Sequence, residues 1–102
     1  MELDKTYYVY LLANKHQTVI YTGKTSDLQR RVAEHKLKLF PKSFTARYTV
    51  DQLVHFEGFE TNEEASYREH QIKAGSRQKK TDLIVQNNPE WKDLSKDWDS
   101  FY

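Results

Sequence analysis

The sequence predicts a small fold of the α/β class, of the α+β type, on three observations. Segments 7–12 and 18–22 are rich in Tyr, Val, Ile and Leu and are joined by a short polar stretch, the pattern of an antiparallel hairpin. A third strand-like run covers 50–59. Three Ser or Thr residues, at 26, 61 and 76, stand at the head of periodic segments, as helix N-caps do. A chain of 102 residues holds one core, so a single domain over 1–102 is expected, with its core at about 7–86 and a packing tail at 87–102.

In the hairpin, the expected register places Tyr10 opposite Tyr21, Leu12 opposite Val19 and Tyr8 opposite Gly23, so both phenols stand on one face. Gly23 then marks a turn. Ser26 with Gln29 fits a capping box, which starts a helix at Asp27 and carries it to about Leu39. Leu28, Val32 and Leu39 share the sheet-facing side, with His35 inside that stripe and Arg31 at its edge. Arg30 points almost the opposite way. Residues 41–49 read as a basic loop with Phe40, Phe44 and Tyr48 interspersed. Such aromatics either stack on bases or tuck the loop onto the domain.

After the third strand, centred on 53–56, Thr61 and Glu64 form a second capping box whose helix runs to about Ala74. Ala65 and Ile72 define its inward stripe and Glu69 lies between them. A carboxylate there costs desolvation energy unless it is ion-paired, hydrogen-bonded or bound to a metal. Gly75 ends this helix and Ser76 caps another, to about Asn87, with Leu83 and Ile84 as its apolar residues. Arg77, Lys79 and Lys80 in its first turn oppose the helix dipole, which suits either an anion or a plain solvated face. Pro89 is placed to open a short helix, and Trp91, Leu94 and Trp98 to anchor the tail.

The net charge of +1 conceals segregation along the chain: +5 over 24–47, −5 over 51–69, +3 over 70–82 and −2 over 90–102. Segregated charge can fold into a basic face. No run reaches the roughly 18 apolar residues of a membrane span, and no secretory pattern is visible. Without cysteine, disulfide scaffolds and thiolate zinc sites are excluded, and a cytoplasmic location is expected. Phenols at 10 and 21, a guanidinium at 31 and an imidazole at 35, brought to one wall of a cleft, suit phosphate chemistry.

Tyr8-Val9-Tyr10, then Tyr21-Thr22-Gly23 with DLQRRVAEH after it, resembles the GIY-YIG endonuclease domain, and more narrowly its small single-domain bacterial members. TNEEASYREHQIKAGSRQKK, with NPEW after it, carries the resemblance from Tyr7 to about Leu94. Tyr8 stands where the motif has glycine. The resemblance implies a three-stranded antiparallel sheet flanked by helices and a metal-dependent endonuclease acting on DNA in repair or recombination. By matching position it assigns catalytic roles to Tyr10, Tyr21, Arg31, His35 and Glu69, and a place in the site to Asn88 or its neighbour Asn87. Glu69 would hold one Mg²⁺ or Mn²⁺. Lys24, Arg30, Arg47, Arg68, Lys73, Arg77, Lys79 and Lys80 are the candidate nucleic-acid contacts, and a homodimer would supply a second basic face. Two other readings compete: a nucleic-acid-binding module that has lost cleavage, and a protein-interaction domain using the Phe- and Trp-rich surface.

Overall fold

The structure is a computed structural model that describes residues 5–101, with side chains through 98; the ends of the expected 1–102 domain lie outside it. Strand β1, Tyr7–Asn14, is central, flanked by β2, Ile20–Thr25, and β3, Val50–Phe59, in an antiparallel sheet ordered β2-β1-β3. Val9, Leu11, Leu12 and Leu53 are fully buried, so the sheet is covered on both faces. On one face, Tyr10 and Leu12 pack with Leu28 and Val32 of helix α1, Leu28–Lys36. On the other, Val9, Leu11 and Ala13 pack with Ala65 and Ile72 of α3, Asn62–Ala74, and Ile84 of α4, Arg77–Asn87. Burying each Val, Leu or Ile among them is worth about 1.5–3 kcal/mol.

The hairpin register differs from the expected one by two residues. Tyr10 faces Gly23, Leu12 faces Tyr21 and Tyr8 faces Thr25. Because side chains alternate with period two, a two-residue shift keeps both tyrosines on the α1 face, now as diagonal neighbours. The shift arises at the connection: Asn14 extends β1, and its Oδ1 accepts from the backbone of Thr18 and Val19 at 2.8 and 2.9 Å. Gly23 is therefore inside β2, not in a turn.

Asp27, rather than Ser26, caps α1, its side chain accepting from Arg30 N. The helix stops at Lys36, short of the expected Leu39, in a Schellman motif. Leu39 N donates to Glu34 O and Lys38 N to His35 O, with Lys38 in the left-handed region at φ 54°. Glycine normally takes that position, and its absence hides the helix end in the sequence. Leu39 consequently lies outside the sheet-facing stripe and is exposed.

The expected loop at 41–49 contains a short helix, α2, Phe44–Arg47, capped by Ser43. Thr61 and Glu64 form their capping box, and Ser76 caps α4, as the sequence predicts. The tail differs. Pro89 lies in a turn rather than a helix, and a 3-10 helix follows at Lys96–Phe101. Trp91 and Trp98 pack against the two core clusters, whereas the Leu94 side chain is exposed and its backbone N donates to Leu53 O at 2.7 Å. The β1–β3 register shifts between Leu11 and Leu12, where His55 and Leu53 are the partners and Val54 bulges.

Candidate active site

Tyr10 rises from the central strand and leans over β2. A Cβ placed at Gly23 would stand 2.5 Å from both Cζ and Oη of Tyr10, so the missing side chain makes room for the phenol. Tyr21, diagonal to it, and His35 of α1 complete a triangle of rings. Their centroids are 6.2 Å apart for the tyrosine pair, 5.9 Å for Tyr10 and His35, and 5.6 Å for Tyr21 and His35. Arg31, one turn before His35, is close enough that its charge acts on both phenols.

Tyr10 Oη lies 3.1 Å from His35 Nε2, and His35 Nδ1 lies 2.8 Å from Thr45 Oγ1. Burial lowers the His35 pKa to about 4, and the Arg31 charge adds to the effect, so the ring is neutral at pH 7. Burial raises the Tyr10 pKa, Tyr21 reinforces the rise, and Arg31 only partly opposes it, so this phenol keeps its proton. A protonated Tyr10 donates to Nε2, which assigns the ring proton to Nδ1, where it donates to Thr45. His35 thereby holds Tyr10 in place. Thr45 was missed from the sequence because a polar residue in an apparent loop has no period to mark it; the one available signal was Ser43, which caps α2.

Arg31 is not a free cation. Its Nη1 donates to Glu34 Oε1 at 3.0 Å, and Arg30 holds the other Glu34 oxygen at 3.3 Å. Burial works against the Arg31 charge, but Glu34 and the two phenols outweigh it and the pKa rises. The hydrogen bond from Arg31 holds the Glu34 carboxyl below the ordinary carboxylate range. A cleft of about 210 Å³ opens beside these groups, lined by Thr25, Ser26, Asp27, Arg30, Arg31 and Glu34.

Glu69 comes from the helix on the opposite face of the sheet. Lys24 Nζ ties β2 to the start of α3 through Asn62 Oδ1 at 2.9 Å and Ser66 Oγ at 2.6 Å, and Glu69 lies one turn beyond Ser66. Its side chain is 15 % exposed, and its charge is felt at the Tyr10 phenol, which overhangs the same strand. Lys73 Nζ pairs with it at 3.1 Å, the salt bridge that a carboxylate on an apolar stripe calls for. Among the described residues no three His, Asp or Glu side chains form a metal cage. A divalent cation fits only as Mg²⁺ and its like fit, with one carboxylate and the remaining positions filled by water and phosphate oxygen. The donor chemistry allows this. Glu69 is a hard oxygen ligand, and Thr22 Oγ1, on the α3-facing side of β2, is buried without a hydrogen-bond partner among the described residues.

Asn88 does not join this group. Its Nδ2 donates to Val54 O at 3.1 Å and Lys92 O at 2.9 Å, and its Oδ1 accepts from Lys92 N at 3.0 Å. Both amide protons and one acceptance at Oδ1 fasten the tail to the β3 bulge, which gives Asn88 a structural role away from the ring triangle. The α4 cluster is also largely occupied: Arg77 donates to the backbone carbonyls of Gln17 and Thr18, and Lys80 to Gly75 O. Arg68 is held by Glu57 through two hydrogen bonds, and His55 and Arg68 together bring the Glu57 pKa to about 2. Lys79 remains exposed, Arg30 is 77 % exposed, and Arg47 lies over the Tyr48 ring.

Paired phenols on a hairpin, a guanidinium and an imidazole on the next helix, and a carboxylate from a later helix stand in a fold whose family match makes it nuclease-type. The chain belongs to the family of the GIY-YIG catalytic domain, whose model matches residues 6–82, and domains of this family are generally nucleases. It is 44 % identical over 81 residues to a UPF0213 protein of Haloquadratum walsbyi, an alignment covering 79 % of this chain and 89 % of that one. A UPF0213 protein of Staphylococcus saprophyticus is 40 % identical over 82 residues, covering 80 % of this chain and 96 % of the relative. The solution NMR structure of the UPF0213 protein from Bacillus halodurans matches with a TM-score of 0.56 at 31 % identity, covering 89 % of this chain and 95 % of that one. No helix among the described residues is long and apolar enough to cross a membrane.

Proposed function

We propose that this protein is an endonuclease that hydrolyses phosphodiester bonds in DNA with one Mg²⁺ or Mn²⁺ held at Glu69. One observation carries the reading: Tyr10, Tyr21, Arg31 and His35 converge on one face of the sheet, and Lys24 of β2 bonds to Asn62 and Ser66 of α3, the latter one turn before Glu69. When bound, the cation polarises the phosphoryl group and stabilises the leaving 3′ oxygen. Arg31 neutralises charge developing on the phosphoryl oxygens, its fork shared between Glu34 and the substrate. Tyr10, kept protonated by burial, donates a hydrogen bond and takes no proton. Tyr21, the less buried phenol, orients the attacking water. Lys24 acts as a positioning residue, setting α3 and hence Glu69 against β2. This reading takes DNA repair or recombination as the setting, and the absence of cysteine supports the cytoplasm as its place.

The Glu69–Lys73 pair favours a second reading, a nucleic-acid-binding domain that does not cleave, because a satisfied carboxylate needs no metal. Thermal unfolding with and without Mn²⁺ separates the two. At ten times the dissociation constant, binding to the folded state adds about 1.4 kcal/mol of stability. An endonuclease site gains that stabilisation in the natural protein and loses it in Glu69→Ala; equal melting in all four samples refutes the metal site.

A further inference from the structure

Helix α2 and the segment before it carry an aromatic surface that the hydrolytic site does not use. Phe40, Phe44 and Tyr48 are 55, 49 and 51 % exposed, and Leu37 and Leu39 beside them are 66 and 56 % exposed. The aromatics therefore do not tuck the segment onto the domain, which was one of the two uses the sequence allowed. Thr45 and Ala46 do that instead: both are buried, and Thr45 is tied to His35. Phe44 and Tyr48, four residues apart, are left side by side with ring centroids 4.9 Å apart.

The surface is basic as well as aromatic. Lys38, Lys42 and Arg47 are interleaved with the rings, and no Asp or Glu occurs from 36 to 50. Arg47 lies 5.8 Å from the Tyr48 centroid. At the other end, the Arg31 guanidinium lies 5.7 Å from the Phe40 centroid, so the surface begins where the phosphate-binding arginine stands. Exposed rings offer faces to bases, and the cations between them offer charge to a backbone. Duplex bases are already stacked and turn only their edges outward, so faces of this kind serve bases that are unpaired.

We infer that Phe40, Phe44 and Tyr48 form a stacking platform for an unpaired DNA strand adjoining the scissile phosphate, so that the preferred substrate carries a single-stranded segment such as an overhang, flap or gap. This rests on the nuclease reading for the scissile phosphate but not for the binding itself, which needs no metal.

Fluorescence anisotropy in EDTA, with labelled oligothymidylate and a blunt hairpin duplex, tests the platform directly. The natural protein is expected to bind the single strand at least about fivefold more tightly than the duplex. Phe44→Ala and Tyr48→Ala should each weaken single-strand binding about five- to a hundredfold and leave duplex binding unchanged. Both side chains are about half exposed, so these variants should melt with the natural protein; Phe44→Leu keeps the apolar bulk without the ring and should lose binding as Phe44→Ala does. Equal affinity for the two DNAs, or variants that bind as the natural protein does, overturns the inference. So does a result in which Tyr48→Ala changes only the sedimentation of the protein, which would make the surface a contact between copies or with another protein. Cleavage without single-strand preference leaves the nuclease reading standing and removes this one; ring-dependent binding without cleavage does the reverse.

Discussion

Replacing Gly23 by alanine probes the placement of Tyr10, on which the site geometry depends. The new Cβ would lie 2.5 Å from Cζ and Oη of Tyr10 and 2.9 Å from Cε1, well inside van der Waals contact. The backbone at Gly23 is not in the left-handed region, so the penalty is steric rather than conformational. Tyr10 is 1 % exposed and its hydroxyl is fixed to His35 at 3.1 Å, so the ring cannot swing away freely. Overpacking of this kind costs about 1–3 kcal/mol, and each kcal/mol lowers the melting temperature of a domain this size by about 4–8 °C. A double-mutant cycle isolates the cause: the loss should appear in Gly23→Ala and vanish when Tyr10 is also alanine, with a coupling energy of about 1–3 kcal/mol. Thermal or urea unfolding of the four proteins gives the numbers. Equal losses in both backgrounds would mean that Gly23 serves the backbone or the fold of β2, and that the crossing of Tyr10 over β2 is wrong.

Three further outcomes follow from the same geometry. His35 has a folded pKa of about 4 against an ordinary 6.5, so the unfolded chain binds its proton more readily between these values. Stability should therefore be complete above about pH 6.5 and fall as the pH drops toward 4, by about 3 kcal/mol in all, a loss that His35→Gln should remove from urea-unfolding curves. Asn88→Ala leaves the Val54 and Lys92 backbone groups short of partners at the tail junction. It should cost about 1–3 kcal/mol in unfolding while the metal-dependent rate of the folded protein stays unchanged; a selective loss of rate would return Asn88 to the site. Lys73→Ala frees Glu69 from a surface ion pair worth about 0.2–1 kcal/mol and should tighten Mn²⁺ binding by up to about fivefold in calorimetry, where weaker binding would argue that Glu69 is not the ligand.

Much of this architecture could be read from the chain. The hairpin composition, the capping box at Thr61 and Glu64, and the Ser76 cap are local signals that the structure leaves intact. The helical wheel that placed Glu69 between Ala65 and Ile72 is likewise matched by its burial. What escaped was set by side chains reaching over longer distances. The hairpin register depends on Asn14 closing its own loop, and the meaning of Gly23 on a ring from the neighbouring strand. The end of α1 depends on Lys38 accepting a conformation usually left to glycine. Asn88 stands at a motif position yet spends its amide on a β-bulge that no periodicity reveals. The charge pattern did suggest a basic face, but Arg68, Arg77 and Lys80 are largely bound by acceptors within the protein. Lys79 stays exposed on α4, and Lys42 and Arg47 lie among the exposed rings of the aromatic segment.

Cleavage of end-labelled DNA, single-stranded, duplex and flapped, by the natural protein and Glu69→Ala with and without Mg²⁺ or Mn²⁺ tests the central claim most directly. The account predicts cleavage by the natural protein only with metal, and a loss of at least about a hundredfold in Glu69→Ala. Cleavage that survives Glu69→Ala or proceeds in EDTA, or a natural protein that binds these DNAs and cuts none of them, contradicts it.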